Sequence, residues 1–326
     1  HRWIEFVDAP QERVDRRGAL PYQSLAAVDQ QLELPRDLVV AGHRQVGLAL
    51  GGGLWVLAAA AGADRARLTH DIEVAGAEIF AIVAFLMAAM ALVEVLIYYR
   101  FFDLVSQRLA RMGLRAKRLF MMMGLLTFFL SAILDNLTIT IVMIQIARRF
   151  FRGRNLLVAA AGIVVLANAG GAWSPIGDVT TIMIWLAGKF TAGQIISQGF
   201  LPSLAMGGVA AALLVRSVED VAPNAIDEEA ISLSTGERVV IFLSLASFAL
   251  PLLMNLIGLQ PYMGLLMGLG VVWLFIEFAK VRSARSTHLN ANIAHRIQNV
   301  DLASLQFFIG ILLAVSALGT LGVLEF

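Results

Sequence analysis

Two short polar stretches inside otherwise apolar chain hold the residues that could do chemistry. The first is Ser131-Ala-Ile-Leu-Asp135-Asn136-Leu-Thr138-Ile-Thr140. The second runs Asn168-Ala-Gly170-Gly171-Ala-Trp-Ser174-Pro175-Ile-Gly177-Asp178-Val-Thr180-Thr181. A carboxylate at membrane depth costs at least ~2.5–3.5 kcal/mol on insertion scales, so it faces a cavity or a partner. Asn136, Thr138, Asn168, Ser174, Thr180 and Thr181 set neutral oxygens beside Asp135 and Asp178. Hard oxygen donors of this kind suit a sodium ion, with Asp135 and Asp178 as its transient ligands. Two carboxylates sharing a low-dielectric site do not ionise together easily, so a proton and a metal cation compete for them, which is the physical core of antiport. Each acid also has a plainer reading: Asp135 as an acid hydrogen-bonded to a neighbouring helix, and Asp178 as the N-cap of a helix starting near Thr180. Capping and cation binding can coexist. Glu94, late in an earlier apolar run, is a candidate for a proton path or for an acid reaching water at the interface.

A membrane bundle is needed to position these residues. Of 326 residues, 59% are hydrophobic and 15% charged, with a mean hydropathy of +0.77. Soluble domains have about 45–50% apolar and about 25% charged residues, so a soluble enzyme is excluded and no catalytic role is expected. A net charge of +1 provides no field for nucleic acid. The absence of cysteine removes disulfides and thiolate metal sites. Apolar runs at 42–61, 75–99, 119–147, 155–188, 195–215, 239–258, 261–279 and 303–325 are long enough to cross a hydrocarbon core of ~30 Å as helices. The fold class is therefore all-α, a polytopic membrane helical bundle.

Two runs are too long to be simple spans. Residues 119–147 are interrupted near the centre by Asp135, Asn136, Thr138 and Thr140, and 155–188 by the Asn168–Asp178 stretch. Arg100, Arg108, Arg111, Arg115, Lys117 and Arg118 precede the first run, and Arg148, Arg149, Arg152 and Arg154 follow it. Basic residues stay on the cytoplasmic side. A segment that enters and leaves on one side is a re-entrant hairpin, with its tip at Asp135-Asn136. Of the 25 Lys and Arg, this topology leaves only Arg65, Arg67 and Lys189 outside.

A weak repeat relates Gly47, Gly51, Gly53 and Trp55 to Gly264, Gly268, Gly270 and Trp273. With opposite membrane orientations the two copies fit an inverted-repeat transporter; alternatively, glycine-rich helices look alike because small residues let helices pack closely. The domain reading is a polar segment 1–41, a first repeat 42–216, an acidic cytoplasmic linker 217–238, and the start of a second repeat at 239–326. The repeat spacing expects a second hairpin near about residue 340, beyond Phe326. Residues 1–41 hold no apolar signal segment, and the start reads as trimmed.

Ser131 to Met143 (SAILDNLTITIVM) and Asn168 to Trp185 (NAGGAWSPIGDVTTIMIW) resemble the NhaD-type sodium/proton antiporters of the ion transporter superfamily. Looser similarity extends from about Gly47 to the end, including Phe102-Asp103 and Gln306 to Leu324. The resemblance implies a scaffold domain, a transport domain with two opposed hairpins and two broken helices, and a homodimer in the lipid bilayer. It implies sodium or lithium and protons as the transported ions, with no cofactor. The implied location is the bacterial inner membrane, or the chloroplast envelope in a plant or alga. It places Asp135 and Asn136 at the tip of the cytoplasmic hairpin, and Asn168, Asp178, Thr180 and Thr181 in the unwound-helix half of the ion site. Ile139 stands where family members often have Thr, and the first family helix is not recognisable.

Three other readings stay open. An arsenite or organic-anion carrier of the same superfamily would favour Ser, Asn, Thr and helix N-termini without a carboxylate. An intramembrane aspartyl protease resembles a Tyr-Asp and Gly-x-Gly-Asp pair, whereas Leu134 precedes Asp135 here and Pro175 stands in place of the first Gly. The third is a non-transporting fragment.

Overall fold

The computed structural model describes residues 36–60, 65–221, 233–282 and 302–323, and these contain helices and turns but no strand. The helices are α1 Arg36–Ala60, α2 Arg65–Tyr98, α3 Phe101–Arg111, α4 Ala116–Ser131, α5 Asn136–Phe150, α6 Gly153–Gly171, α7 Val179–Leu186 and α8 Ala192–Leu214. They continue with α9 Thr235–Ser247, α10 Leu250–Leu256, α11 Pro261–Arg282 and α12 Leu302–Thr320. Among the described residues, stretches within α2, α6, α8, the α9–α10 pair and α11 are long and apolar enough to cross a bilayer. The protein is an all-α integral membrane protein. Its chain divides into two compact units, one containing 96–238 and the other 22–95 with 239–326.

The 96–238 unit is built around a glycine seam between α4 and α6. A Cβ added to Gly162 would lie 2.7 Å from Phe120, one on Gly124 2.6 Å from Leu166, and one on Gly170 2.1 Å from the Phe128 carbonyl oxygen. These contacts advance together along both helices, so α4 and α6 run parallel, and at Gly170 backbone lies against backbone. Helix α5 runs the other way. Asn136 at its start reaches Asn168 near the end of α6, while Phe151 just past its end lines an apolar pocket with Phe120 and Ala159. Helices α4 and α5 are therefore the two arms of a hairpin, with residues 132–135 as its turn.

The base of the hairpin is fastened by the segment leaving α8. Buried Asn155 donates through Nδ2 to the Glu219 carbonyl (2.9 Å) and accepts the Glu219 N–H at Oδ1 (2.9 Å). Arg115 donates to the Asp220 carbonyl (2.8 Å), and Ala116 N–H donates to the Val221 carbonyl (3.2 Å). Asp220 at the head of the linker thus meets the hairpin through Arg115, and Glu219 meets α6 through Asn155. Asn155→Ala deletes a buried two-point bond and leaves the Glu219 peptide without its side-chain partner, which costs about 1–3 kcal/mol. A lower melting temperature in detergent is the expected result; an unchanged one would show that the fastening contributes nothing.

In the other unit, α1 crosses α12 through small residues. A Cβ on Gly51 would sit 2.8 Å from the Gly310 carbonyl oxygen, and one on Gly310 2.5 Å from the Gly47 carbonyl carbon. Trp55, Ala58, Leu68, Ala75 and Ala317 form a buried cluster in this unit. Gly264 and Gly268 on α11 likewise press on Leu250 and Ser247. Gly47 and Gly51 of the first glycine motif and Gly264 and Gly268 of the second are therefore close-packing positions, a known use of small residues between membrane helices, while Gly53 and Gly270 face open space.

The elements differ from the sequence reading at four places. Helix α1 begins at Arg36, inside the segment read as polar; the rest of that segment, with the trimmed-start reading, lies outside the described residues. Helix α2 begins at Arg65 instead of 75, because apolarity marks the bilayer while a helix can continue into water through Arg65–Gly76. The basic 100–118 stretch, between two apolar runs, contains α3, whose Phe102 and Leu109 are buried while Arg108 and Arg111 are exposed. The 239–258 run is bent between α9 and α10, where Pro251 lacks the N–H that would continue the ladder.

Candidate ion-binding site

Each acid caps a helix at a chain break. After α4 ends at Ser131, the turn delivers Asp135 as N-cap of α5, where its Oδ1 accepts the Thr138 N–H at 3.0 Å. After α6 ends at Gly171, residues 172–178 form an irregular loop, and Asp178 caps α7 by accepting from Thr180 N–H (2.8 Å) and Thr180 Oγ1 (2.8 Å) at Oδ1. A helix N-terminus favours negative charge, so both breaks are suited to holding a carboxylate. The capping reading of Asp178 is thus realised, and it leaves Oδ2 for another partner.

That partner is Asn136. Its Nδ2 donates to Asp178 Oδ2 at 2.7 Å and to Asn168 Oδ1 at 3.1 Å. A carboxylate oxygen can only accept, which fixes the nitrogen end of this amide on Asp178. Asn168 is oriented by its own Nδ2 bond to the Val164 carbonyl, 2.8 Å. The hairpin tip and the helix break therefore meet through side chains, bringing Asn136, Asn168 and Asp178 into one cluster, with Asp135 the residue before Asn136. Asp135, Asn136 and Asp178 are half-buried, and Asn168 and Thr180 are exposed.

The remaining sequence candidates divide. Thr138 adjoins Asp135 through its N–H. Thr181 donates its hydroxyl to the Asp178 carbonyl at 2.8 Å. Buried Ser174 turns into the loop, accepting the Ile176 N–H at 3.3 Å, so it shapes the break. Gly170 and Gly171, within the stretch read as interrupting 155–188, remain inside α6; the break starts at Ala172, because these glycines are needed where Phe128 and Gly177 approach. Glu94 lies on α2 in the other unit, half-buried.

Sequence reasoning missed what holds the cluster together. Buried Ser131 donates to the Ala167 carbonyl at 2.6 Å, one residue before Asn168. Trp173, in the loop, stacks on Phe128 of the hairpin (ring centroids 6.2 Å apart) and meets Phe200 of α8 edge-on (5.1 Å). An aromatic residue inside a polar loop was the available signal, since such a ring needs a surface to cover it. Among the described residues no group of three or more His, Cys, Asp or Glu is placed to hold a metal ion. The donors at the two breaks are carboxylate, amide, hydroxyl and carbonyl oxygens, types that suit a hard cation.

An acid and amides meeting at a hairpin tip and a helix break inside a membrane bundle is an arrangement that membrane transporters use. Comparison with known proteins agrees. The chain belongs to the citrate transporter family, CitMHS, whose profile matches residues 43–326. It is 34% identical over 287 residues to sodium/proton antiporter 1 of Arabidopsis thaliana (86% of this chain, 49% of the relative). To sodium/proton antiporter 2 of the same plant it is 36% identical over 267 residues (79% and 62%). To the Na(+)/H(+) antiporter NhaD of Alkalimonas amylolytica it is 31% identical over 264 residues (74% and 54%). The NhaD-type resemblance read from the two motifs is borne out. The chain spans about half to three-fifths of the length of these relatives.

Proposed function

We propose that the protein works as a secondary transporter exchanging sodium or lithium for protons across a membrane, with the Asp135–Asn136 tip and the Asn168, Asp178, Thr180 and Thr181 side chains as its ion site. The observation that carries this reading is the single cluster in which Asn136 of the hairpin bonds both Asp178 and Asn168 of the broken helix. Thr138 and Ser174 support the two breaks, and a cation and protons take turns on the carboxylates. The names of the three relatives support sodium and protons as the ions. In this reading the protein is a homodimer of inverted repeats, resident in a bacterial inner membrane or, in a plant or alga, the chloroplast envelope. Glu94 belongs to a proton path.

The description of the matching family favours a second reading, an organic-anion carrier. Acids at both breaks weigh against it, because they repel an anion. The deciding experiment places the full-length protein in vesicles containing a pH-sensitive dye. Sodium or lithium pulses are expected to evoke a pH change, while citrate is expected to leave the sodium-free signal flat. Citrate uptake without any cation-evoked proton movement would overturn the exchange reading.

A further inference from the structure

The second arm of the hairpin is bolted at its far end to α3 by a charged pair that the ion site does not use. Asp103, 5% exposed, accepts from Arg149 Nη2 at 3.0 Å and from Arg100 Nε at 3.3 Å. The Arg149 side chain is 21% exposed, and its Nη1 also reaches Ser106 Oγ at 3.3 Å. Two side chains one turn apart on α3 therefore grip one guanidinium, which sits in the last turn of α5. The charges also suit the helix ends, since Asp103 lies in the first turn of α3 and Arg149 in the last turn of α5.

A buried ion pair adds little stability over apolar packing of the same shape. What a planar, two-point guanidinium contact supplies is a defined position. Helix α5 is a continuous rod from Asn136 to Phe150, so roughly 20 Å separates the Arg149 grip from the Asp135–Asn136 tip. A shift at the base is carried along the rod to the tip. Asp103 additionally holds Arg100, which occupies the left-handed region (φ 60) at the corner between α2 and α3, a conformation unfavourable for a residue with a Cβ.

We infer that Asp103 and Arg149 are positioning residues: their ion pair sets where the hairpin tip presents Asp135 and Asn136 to Asp178, and thereby tunes cation affinity. This rests on the ion-exchange reading for its functional consequence, although the positional claim can be tested without it. The full-length protein in dye-loaded vesicles is compared with Asp103→Asn and Arg149→Lys. Coupling through a packed chain of side chains is worth about two- to thirty-fold. Asp103→Asn is expected to raise the sodium concentration for half-maximal response by about that much, with a smaller change in maximal rate. Arg149→Lys keeps the charge but cannot reach Asp103 and Ser106 together, so it should fall between parent and Asp103→Asn.

Amide hydrogen exchange at Thr138 and Ile139 supplies a readout independent of transport, and faster exchange in both variants is expected. An unchanged half-maximal concentration in an active parent, or a loss of maximal rate alone, would overturn the inference. If the parent shows no cation response, the exchange reading fails by itself, and protection at Thr138 then decides the positional claim: unchanged protection sinks it. Should Asp103→Asn not fold, Arg149→Lys carries both measurements.

Discussion

In Asp178→Asn, cation-evoked proton movement should fall by about 100-fold or more at a fixed sodium concentration. Asparagine is as good an N-cap as aspartate, so the start of α7 keeps its Thr180 bond and the variant should fold. What it loses is the charge. At an effective dielectric constant of ~20, a carboxylate and a cation ~4 Å apart attract by about 4 kcal/mol, and 1.4 kcal/mol is worth tenfold, so a loss of two orders of magnitude is within reach. The Asn136 amide, which donates to Asp178 Oδ2 at 2.7 Å, loses that acceptor, because the one oxygen of the new side chain stays with Thr180. Asp135→Asn is the companion test at the other break. Vesicles loaded with a pH dye report both, and a response indistinguishable from the parent in either variant would remove that acid from the ion site.

The largest structural effect is expected at Gly170. Its added Cβ would stand 2.1 Å from the Phe128 carbonyl oxygen and 2.8 Å from two further backbone atoms. No rotamer can relieve a clash with backbone, so Gly170→Ala must push α4 away from α6 and loosen the Ser131 and Trp173 contacts that depend on their closeness. Overpacking of this kind costs about 1–3 kcal/mol, and more where the obstacle cannot move. Gly208→Ala is the control, since a Cβ there meets nothing within 4 Å. Thermal unfolding in detergent should show a large drop for the first and almost none for the second; equal melting temperatures would mean that the seam yields.

The sequence made the hairpin legible for a physical reason that is local. Polar residues at the centre of an apolar run, flanked on both sides by arginines, admit few membrane solutions, and the turn falls at residues 132–135. The broken helix was legible through Pro175 and Asp178, although Gly170 and Gly171, within the interrupting stretch, serve contact. Helix α3 was hidden because its arginines count toward topology whether the segment is loop or helix; the buried Phe102 and Leu109 opposite exposed Arg108 and Arg111 were the usable clue. The Asp103–Arg149 pair and the Phe128–Trp173–Phe200 stack were not legible at all. Their partners lie far apart in sequence, and no local pattern states which distant side chain a residue will meet.

The seam between α4 and α6 has a consequence for how an ion could be let go. With Gly170 lying on the Phe128 carbonyl and Gly177 against Ser131, the hairpin and the broken helix cannot part like jaws without tearing main chain from main chain. Under the exchange proposed above, ion release would have to leave this grip closed. In that exchange, an ion held at this cluster lies nearest the surface at Asn168 and Thr180, its exposed members.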